Sequence, residues 1–157
     1  MDAGGDDAAT AAAKRSLRRE ARERRKALTD RHERSARLTR TLIAHPAVID
    51  ADRVMAYSAM GSEVDTAMFV AWCIEHGKAV LMPEDGVDPS WPDVVIVPGL
   101  AFTLDGHRCG QGGGWYDRFL PGIRADCVTI GVGFRVQLVD ELPIGPFDQS
   151  LDIVLTD

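Results

Sequence analysis

The sequence predicts an α/β protein with a single three-layer, Rossmann-like domain in which helices flank a mostly parallel sheet. Short apolar segments without a helical stripe recur along the chain, and a helix-forming segment separates the first two of them. A strand–helix–strand unit of this kind has parallel strands and a right-handed crossover. The carboxyl ends of the strands then share the edge of the sheet at which ligands usually bind.

Length and composition fit one globular domain, with 157 residues of which 45% are hydrophobic and 27% charged. We expect a flexible tail over residues 1–13 and a single domain over residues 14–157. The apolar segments are far shorter than the roughly 18 to 20 residues of a membrane span. The acidic N-terminus is unlike a signal peptide, so we expect a cytoplasmic protein without membrane contact. Cys73, Cys109 and Cys127 form no CxxC motif and are predicted to be free thiols.

Two helices are predicted before the first strand. Residues 14–28 contain no Gly or Pro and consist of fair helix formers. Asp30 and Glu33 have the spacing of a capping box, which predicts a second helix that ends near Ala44, before Pro46.

A third helix and five strands are predicted after these helices. The segment AMFVAWCIEH favours a helix that Asp65 or Thr66 caps and Gly77 ends. The predicted strands are Arg53–Met60, the segment KAVLMP after Gly77, Asp93–Gly99, Cys127–Phe134 and the C-terminal LDIVLTD.

Positive charge is concentrated near the N-terminus. Residues 14–40 contain 12 of the 18 basic residues and four acidic ones, a net charge of +8 within a chain whose total is −6. One face is therefore expected to be strongly basic, and nucleic-acid binding is an alternative function. The acidic remainder, the lack of aromatic residues among the cations and the absence of a recognised binding motif argue against it. We expect no nucleic-acid partner.

The glycine-rich segment GHRCGQGGGWYDRFL, residues 106–120, is the most informative part of the chain. Four of the five residues at positions 110–114, shortly after Arg108, are glycines. Glycine lets successive backbone N–H groups converge on an anion, Arg108 can add a bidentate contact, and Asp117 can hold Mg²⁺. The segment matches neither GxxxxGK[ST] nor GxGxxG. It predicts a site for nucleotide phosphates, and a flexible glycine loop is the alternative.

The segment also carries a resemblance to a known family. DVVIVPGLA followed by FTLDGHRCGQGGGWYDRFL resembles the signature of 5-formyltetrahydrofolate cyclo-ligases, F-x-x-x-G-x-R-x-G-x-G-x-G-[aromatic]-Y-D-R-x-L after a strand that ends in Pro-Gly. KRSLRRE near the start, Glu63-Val64-Asp65-Thr66 after the first strand and LPIGPFDQSLDIVLTD at the end extend the resemblance over nearly the whole chain from Lys14. It implies that ATP and 5-formyltetrahydrofolate give 5,10-methenyltetrahydrofolate, ADP and phosphate, with Mg²⁺ as cofactor.

The resemblance implies an ATP site that includes the first helix. Lys14 and Arg18 stand at i and i+4 on one helix face, from which both can reach one phosphate chain. Without the resemblance, a solvated basic helix is the preferred interpretation of this pair. The implied ATP-binding residues are Lys14, Arg15, Ser16, Leu17, Arg18, Arg108, Cys109, Gly110, Gln111, Gly112, Gly113, Gly114, Trp115 and Tyr116.

The resemblance also implies a folate site and a metal site. The Glu63 carboxylate can accept hydrogen bonds from a pterin, although an acid at a helix N-terminus is the alternative. Asp117 and Asp148 are the implied Mg²⁺ ligands, and a turn or cap is the alternative for Asp148. The implied substrate-binding residues are Ser58, Glu63, Gln111, Gly112, Gly113, Gly114 and Trp115.

One segment departs from the family pattern. Between Pro83 and Trp91 the chain has only EDGVDPS, where the family normally has a few tens of residues that contribute to the folate pocket. Either that segment is absent from the given chain, or the protein is a shortened relative that binds nucleotide or folate without turnover. Only small-molecule partners and a monomer are expected.

Overall fold

The computed structural model describes residues 5–157, which contain a five-stranded parallel sheet of order β2-β1-β3-β6-β7. Two further strands, β4 and β5, form a separate antiparallel hairpin. The strands are β1 (Arg53–Met55), β2 (Ala79–Leu81), β3 (Val94–Val97), β4 (Ala101–Phe102), β5 (Arg108–Cys109), β6 (Val128–Gly133) and β7 (Ile153–Thr156).

Five α-helices accompany the strands in the described residues, and none of them is long and apolar enough to cross a membrane. Two short 3-10 turns follow α5 and β6. The helices are α1 (Ala8–Lys26), α2 (Arg31–Ala44), α3 (Pro46–Ile49), α4 (Ala67–Glu75) and α5 (Trp115–Phe119).

Both faces of the sheet are buried, which explains why its strands are continuous apolar runs. Val54 pairs with Val94, and both side chains pack into a core with α2, α3 and α4. Met55 pairs with Val95, and both pack on the opposite face with Phe102 and α5. Because neighbouring strands are in this register, residues of one face meet each other. The predicted three-layer α/β architecture is confirmed.

The first helix begins earlier than predicted. It starts at Ala8, and the carboxylate of the N-cap residue Asp7 accepts a hydrogen bond from the backbone N–H of Thr10 at 2.7 Å. Alanine is the strongest helix former, and residues 8–13 contain five alanines. The prediction of a flexible tail over residues 1–13 is therefore wrong for residues 8–13. Residues 1–4 lie outside the described part of the chain.

The capping box predicted at the start of α2 is absent. Asp30 is the N-cap residue, but its side chain makes no cap hydrogen bond. Its Oδ1 instead accepts from Nε of Arg34 at 2.8 Å, and this bond lowers the pKa of Asp30. The end of α2 at Ala44 agrees with the prediction.

The start of α4 divides the predicted capping roles between two residues. Oδ1 of Asp65 accepts from the backbone N–H of Ala67 at 2.9 Å, whereas the hydroxyl of Thr66 donates to the carbonyl of Tyr57. Gly77, with φ of 75°, follows the helix as predicted. Thr66 therefore connects the helix to the chain that leaves β1.

The hairpin of β4 and β5 was not predicted, and it positions the C-terminal segment. Gly106 in its turn has φ of 101°, and a β-carbon there would collide with the carbonyl oxygen of Leu151. The N–H of Leu151 donates to the carbonyl of Gly106 at 2.8 Å. This contact keeps the chain around residue 148 beside the glycine-rich segment. The three cysteines are buried free thiols, as predicted.

Candidate functional site

Residues that follow three parallel strands line one cavity at the carboxyl edge of the sheet. Its volume is about 370 Å³, and its surface is mostly apolar. Glu63 and the glycine-rich segment complete the wall. We call it the apolar cavity, and its lining residues are Tyr57, Ser58, Met60, Glu63, Met82, Pro83, Pro98, Gly99, Arg108, Gln111, Gly113, Gly114, Trp115 and Tyr116.

A second cavity of about 360 Å³ adjoins the first. The two share Arg108, Gln111 and Gly114, so they lie on either side of the glycine-rich loop, which we define as Gly110–Gly114. Side chains of both charges line this charged cavity. Its lining residues are Gly5, Asp6, Lys14, Arg18, Arg108, Cys109, Gly110, Gln111, Gly112, Gly114, Asp117, Arg118, Phe147 and Asp148.

The N-terminal helix is bound to the glycine-rich loop by two hydrogen bonds. Nε of Arg18 donates to the carbonyl of Gly110 at 2.9 Å. One helical turn further, Nη2 of Arg22 donates to Oε1 of Gln111 at 3.0 Å. Because residues four apart share a helix face, Lys14 lies on the same face of α1 as Arg18 and Arg22.

Lys14 is almost fully buried between two carboxylates. Its Nζ lies 2.7 Å from Oδ2 of Asp6 and 2.5 Å from Oδ2 of Asp148. Burial lowers the pKa of Lys14, but the hydrogen bonds and negative charges of Asp148 and Asp6 outweigh it, so the pKa lies above its ordinary value. The side chain is therefore a permanent ammonium in the wall of the charged cavity.

Arg108 lies between the two cavities and is held by several contacts. Its Nε donates to the carbonyl of Pro98 at 2.6 Å, and its guanidinium carbon lies 5.0 Å from the ring centre of Tyr116. Burial lowers the pKa of Arg108, and the charge of Asp117 is the largest opposing influence; a guanidinium nevertheless stays protonated. Arg108 is thus part of strand β5 and its packing.

The aromatic pair at the start of α5 has one unusual polar atom. The hydroxyl of Tyr116 is buried and has no hydrogen-bond partner among the described residues. Burial also raises the pKa of Tyr116, so the hydroxyl remains protonated. A buried hydroxyl without a partner is destabilising, and this one borders the apolar cavity. Trp115 stacks on Phe119 with ring centres 4.7 Å apart, which fixes its indole at the same cavity.

The loop requires glycine at two of its positions. Gly112 has φ of 112° and Gly114 has φ of 71°, which are conformations that other residues rarely adopt. Gly113 has no such torsion, and its carbonyl accepts from Nη1 of Arg118 at 2.7 Å. The conformational constraint on the loop therefore lies at Gly112 and Gly114 and not at Gly113.

Two carboxylates that line the charged cavity, those of Asp117 and Asp148, are the residues that could hold a magnesium ion. Oδ1 of Asp117 accepts from the backbone N–H of Gln149 at 3.1 Å. Oδ2 of Asp148 accepts from the N–H of Gly145 at 2.8 Å and from Lys14. The described residues contain no group of three or more His, Cys, Asp or Glu side chains arranged around a metal. Two carboxylates are the usual protein share of a Mg²⁺ site that water and phosphate oxygens complete.

Three residues of the predicted ATP site line neither cavity. Arg15 is exposed, Ser16 is half-buried, and Leu17 packs against a hydrophobic cluster that contains Ala21 and Leu100. The structure brings the remaining predicted ATP, substrate and metal residues to the two cavities.

Several lining residues were missed in the sequence. Asp6 lies in the segment predicted to be a tail, and Arg118 lies in the glycine-rich segment but is not among the predicted site residues. Tyr57 lies inside the predicted strand Arg53–Met60, but β1 ends at Met55, so Tyr57 follows the strand at the carboxyl edge of the sheet. Its hydroxyl donates to the carbonyl of Val64 at 3.0 Å and supports the loop that carries Glu63.

The fold and the two cavities define a class, the α/β proteins that have an open parallel sheet and ligand-sized cavities at its carboxyl edge. A family model described as the 5-formyltetrahydrofolate cyclo-ligase family matches residues 10–89 and 84–157. The chain therefore belongs to this family. The two matched segments overlap at residues 84–89, within the segment that is predicted to be shortened.

Three relatives illustrate the similarity. The 5-formyltetrahydrofolate cyclo-ligase of Mus musculus is 26% identical over 192 residues, covering 91% of this chain and 93% of the mouse protein. The enzyme of the same name from Escherichia coli K12 is 27% identical, covering 86% and 95%. A solved 5,10-methenyltetrahydrofolate synthetase from Mycoplasma pneumoniae has the same fold, with a TM-score of 0.80, 22% identity and coverage of 90% and 96%.

The alignment with the mouse protein agrees with the prediction that this chain is shorter than other family members. The alignment with the mouse protein extends over 192 residues, but 91% of this 157-residue chain is only about 143 residues. Some 49 residues of that alignment therefore have no counterpart here. Glu84 and the residues after it form a short exposed turn, and they do not line the apolar cavity.

Proposed function

We propose that this protein catalyses the ATP- and Mg²⁺-dependent cyclisation of 5-formyltetrahydrofolate to 5,10-methenyltetrahydrofolate, with release of ADP and phosphate. One observation carries the proposal: a charged cavity and a largely apolar cavity adjoin at Arg108, Gln111 and Gly114. A reaction between a nucleotide phosphate and a bulky heterocycle needs two such sites side by side. Membership in the 5-formyltetrahydrofolate cyclo-ligase family supports 5-formyltetrahydrofolate as the heterocyclic substrate.

The charged cavity is the proposed ATP site. Lys14, Arg18, Arg108 and Arg118 supply positive charge for a phosphate chain. In the proposed reaction the formyl oxygen attacks the γ-phosphorus, the bond to ADP breaks, and an imino-phosphate forms. The task of the protein is to align the substrates and to stabilise phosphate charge, which these cations do without a covalent nucleophile.

The apolar cavity is the proposed folate site. Glu63 borders it with a carboxylate that can accept hydrogen bonds from pterin N–H groups, and its Oε1 also accepts from the N–H of Met60 at 2.8 Å. The indole of Trp115 offers an aromatic surface for the ring. The second folate nitrogen then attacks the activated formyl carbon, the ring closes, and phosphate leaves. The unpartnered hydroxyl of Tyr116 can donate to a polar atom of the bound substrate.

Asp117 and Asp148 are the residues that would hold Mg²⁺. When bound there, the ion neutralises charge on the phosphate oxygens. Asp148 also fixes the position of Lys14 through their ion pair, and Asp117 adds negative charge near Arg108.

The direct test is to mix the purified full-length protein with Mg-ATP and 5-formyltetrahydrofolate and to record the near-ultraviolet absorbance of the methenyl product. We expect the product, with one ADP formed per product molecule. The control omits ATP. If neither product nor ADP forms, the cyclo-ligase reaction is excluded for this protein.

The shortened segment after Pro83 favours one second candidate, a family member that binds nucleotide or folate without turnover. The same assay distinguishes the two when calorimetric titrations with Mg-ATP and with 5-formyltetrahydrofolate accompany it. Binding of both ligands without product would support the second candidate. Product formation would exclude it.

A further inference from the structure

We propose that Asp6 is autoinhibitory, because its carboxylate occupies the place of a phosphate oxygen on Lys14 and must leave before Mg-ATP binds. Oδ2 of Asp6 lies 2.7 Å from Nζ of Lys14, which is a distance typical of an ammonium–phosphate contact. Asp6 lines the charged cavity, on the segment that precedes the N-cap residue of α1. This inference rests on the nucleotide site proposed above.

The Asp6 carboxylate fits closely between Lys14 and Gly145. Three quarters of the side chain is buried, and its Oδ1 lies directly against Gly145. A β-carbon at position 145 would collide with that oxygen. The same glycine donates its N–H to Asp148 at 2.8 Å. The carboxylate therefore fits between Lys14 and Gly145 and is not merely the nearest charge on a loose segment.

The two carboxylates on Lys14 differ in what else holds them. Asp148 also accepts the N–H of Gly145, and the chain beyond it is bound to the hairpin through Leu151. Within the described part of the chain, Asp6 has no hydrogen-bonding or ion-pair partner other than Lys14. An incoming phosphate that competes for Lys14 will therefore displace Asp6 and leave Asp148 in place.

Charge in the cavity favours the same conclusion. Four cationic side chains and three carboxylates line the charged cavity, so the cavity carries one excess positive charge while Asp6 contacts Lys14. Departure of Asp6 increases the excess to two and frees one side of the Lys14 ammonium. A polyphosphate anion thus binds more tightly when Asp6 has left Lys14. Molecules in which Asp6 contacts Lys14 do not bind it in this way, so the apparent affinity falls as their fraction increases.

The test compares two adjacent substitutions that remove the same charge. Asp6→Asn weakens the contact with Lys14, whereas Asp7→Asn keeps an N-cap acceptor at a residue outside the cavity. The dissociation constant of Mg-ATP is measured by calorimetry on the full-length protein, and KM and kcat are measured in the cyclisation assay. We expect Asp6→Asn to bind Mg-ATP about threefold to tenfold more tightly and to lower KM for ATP accordingly, and Asp7→Asn to stay within about twofold of wild type.

A second variant tests the contact between Asp6 and Gly145 without changing any charge. Gly145→Ala places a methyl group against the Asp6 carboxylate and retains the N–H that Asp148 accepts. Gly145→Ala should increase the affinity for Mg-ATP by about as much as Asp6→Asn does. The double variant that carries both substitutions should bind Mg-ATP no more tightly than Asp6→Asn alone. Inorganic tripolyphosphate, used as a second probe, should show the same gain because the competition is for the ammonium.

The outcomes separate this inference from the proposed function. If wild type binds no Mg-ATP, the nucleotide site is wrong and the inference is overturned with it. If wild type binds Mg-ATP and Asp6→Asn binds it no more tightly, only the autoinhibitory role is overturned. An equal gain in Asp6→Asn and Asp7→Asn would assign the effect to overall charge and would also overturn it, as would a Gly145→Ala variant that binds like wild type.

Discussion

Nε of Arg18 lies 2.9 Å from the carbonyl oxygen of Gly110, 92 positions later in the chain. This hydrogen bond joins the middle of the N-terminal helix to the start of the glycine-rich loop. It uses one of the five N–H groups of the guanidinium, so the others remain available to an anion in the charged cavity. Arg18 therefore has two tasks, to hold the loop and to present positive charge.

We expect Arg18→Ala to weaken Mg-ATP binding by at least about tenfold. A charge-assisted hydrogen bond contributes roughly 1.5 to 3 kcal/mol, and 1.36 kcal/mol corresponds to a factor of ten. Arg19→Ala is the control, because Arg19 is an exposed neighbour and the substitution removes the same charge. Calorimetric titration of both variants measures the difference. Equal affinities would mean that the contact with Gly110 does not serve nucleotide binding.

The two cavity carboxylates should determine the magnesium requirement. Asp117→Asn and Asp148→Asn are each expected to increase the Mg²⁺ concentration needed for half-maximal cyclisation, because an amide keeps the shape but loses the charge that attracts a hard cation. Asp148→Asn should also lower the melting temperature of the ligand-free protein, since it weakens the ion pair of the buried Lys14. Asp140→Asn, at an exposed position, is the control. Unchanged Mg²⁺ dependence in both variants would move the metal site elsewhere.

Gly112 should tolerate a side chain less well than Gly113. Alanine at Gly112 must adopt φ near 112°, a conformation that costs of order 1 to 3 kcal/mol, whereas Gly113 has an ordinary torsion and open space around its α-carbon. Gly112→Ala should therefore lose Mg-ATP affinity or thermal stability, and Gly113→Ala should keep both within the error of measurement. Titration and thermal melting of the two variants test this. Equal behaviour would show that the loop conformation at Gly112 is not needed.

The sheet was predictable because its strands are buried on both faces. A run such as Val94–Val97 is apolar at every position, which is typical of a short strand covered on both faces. The hairpin of β4 and β5 was not predictable, because each strand has two residues and its turn depends on the contact of Gly106 with Leu151. That contact joins segments 45 positions apart and leaves no local signal.

The candidate site was predictable where one motif carried it. The sequence brought together Arg108, the glycine-rich loop and Asp117 because they are neighbours in the chain. Asp6 was missed, since its importance arises only when the fold carries Lys14 and Gly145 to it. The sequence likewise does not reveal which of the loop glycines has a positive φ, because the fold determines the torsion of each one.

Glu63→Gln should weaken the binding of 5-formyltetrahydrofolate and leave the binding of ATP nearly unchanged. Glu63 lines the apolar cavity and does not line the charged one. Glutamine keeps an acceptor for the N–H of Met60 but loses the negative charge that favours pterin N–H donors. We expect KM for 5-formyltetrahydrofolate to increase at least about tenfold while KM for ATP changes less than about twofold. Glu75→Gln, exposed at the end of α4, is the control, and a parallel increase in both KM values would contradict the division between the cavities.

Asp93 should make the stability of the fold depend on pH. Its Oδ2 accepts from the backbone N–H groups of Asp52 and Arg53 at 2.9 Å each, and its Oδ1 accepts from Arg124 at 2.6 Å. Burial raises the pKa of Asp93, but these hydrogen bonds outweigh it and hold the pKa below its ordinary value of 3.8. A carboxyl with a lowered folded-state pKa stabilises the protein above pH 3.8, and that contribution is lost as the pH falls through the folded-state value.

We therefore expect Asp93→Asn to lower the free energy of unfolding by roughly 1.5 to 3 kcal/mol at pH 7. Below pH 3.8 the difference from wild type should shrink, because the wild-type carboxyl becomes protonated and loses the charge that the variant already lacks. Urea unfolding of both proteins at pH 7 and at several values below 4 measures this. The control is Asp85→Asn, in the exposed turn after β2, which should match wild type throughout. A difference between Asp93→Asn and wild type that is constant with pH would mean that the shape of the side chain, and not its charge, joins the starts of β1 and β3.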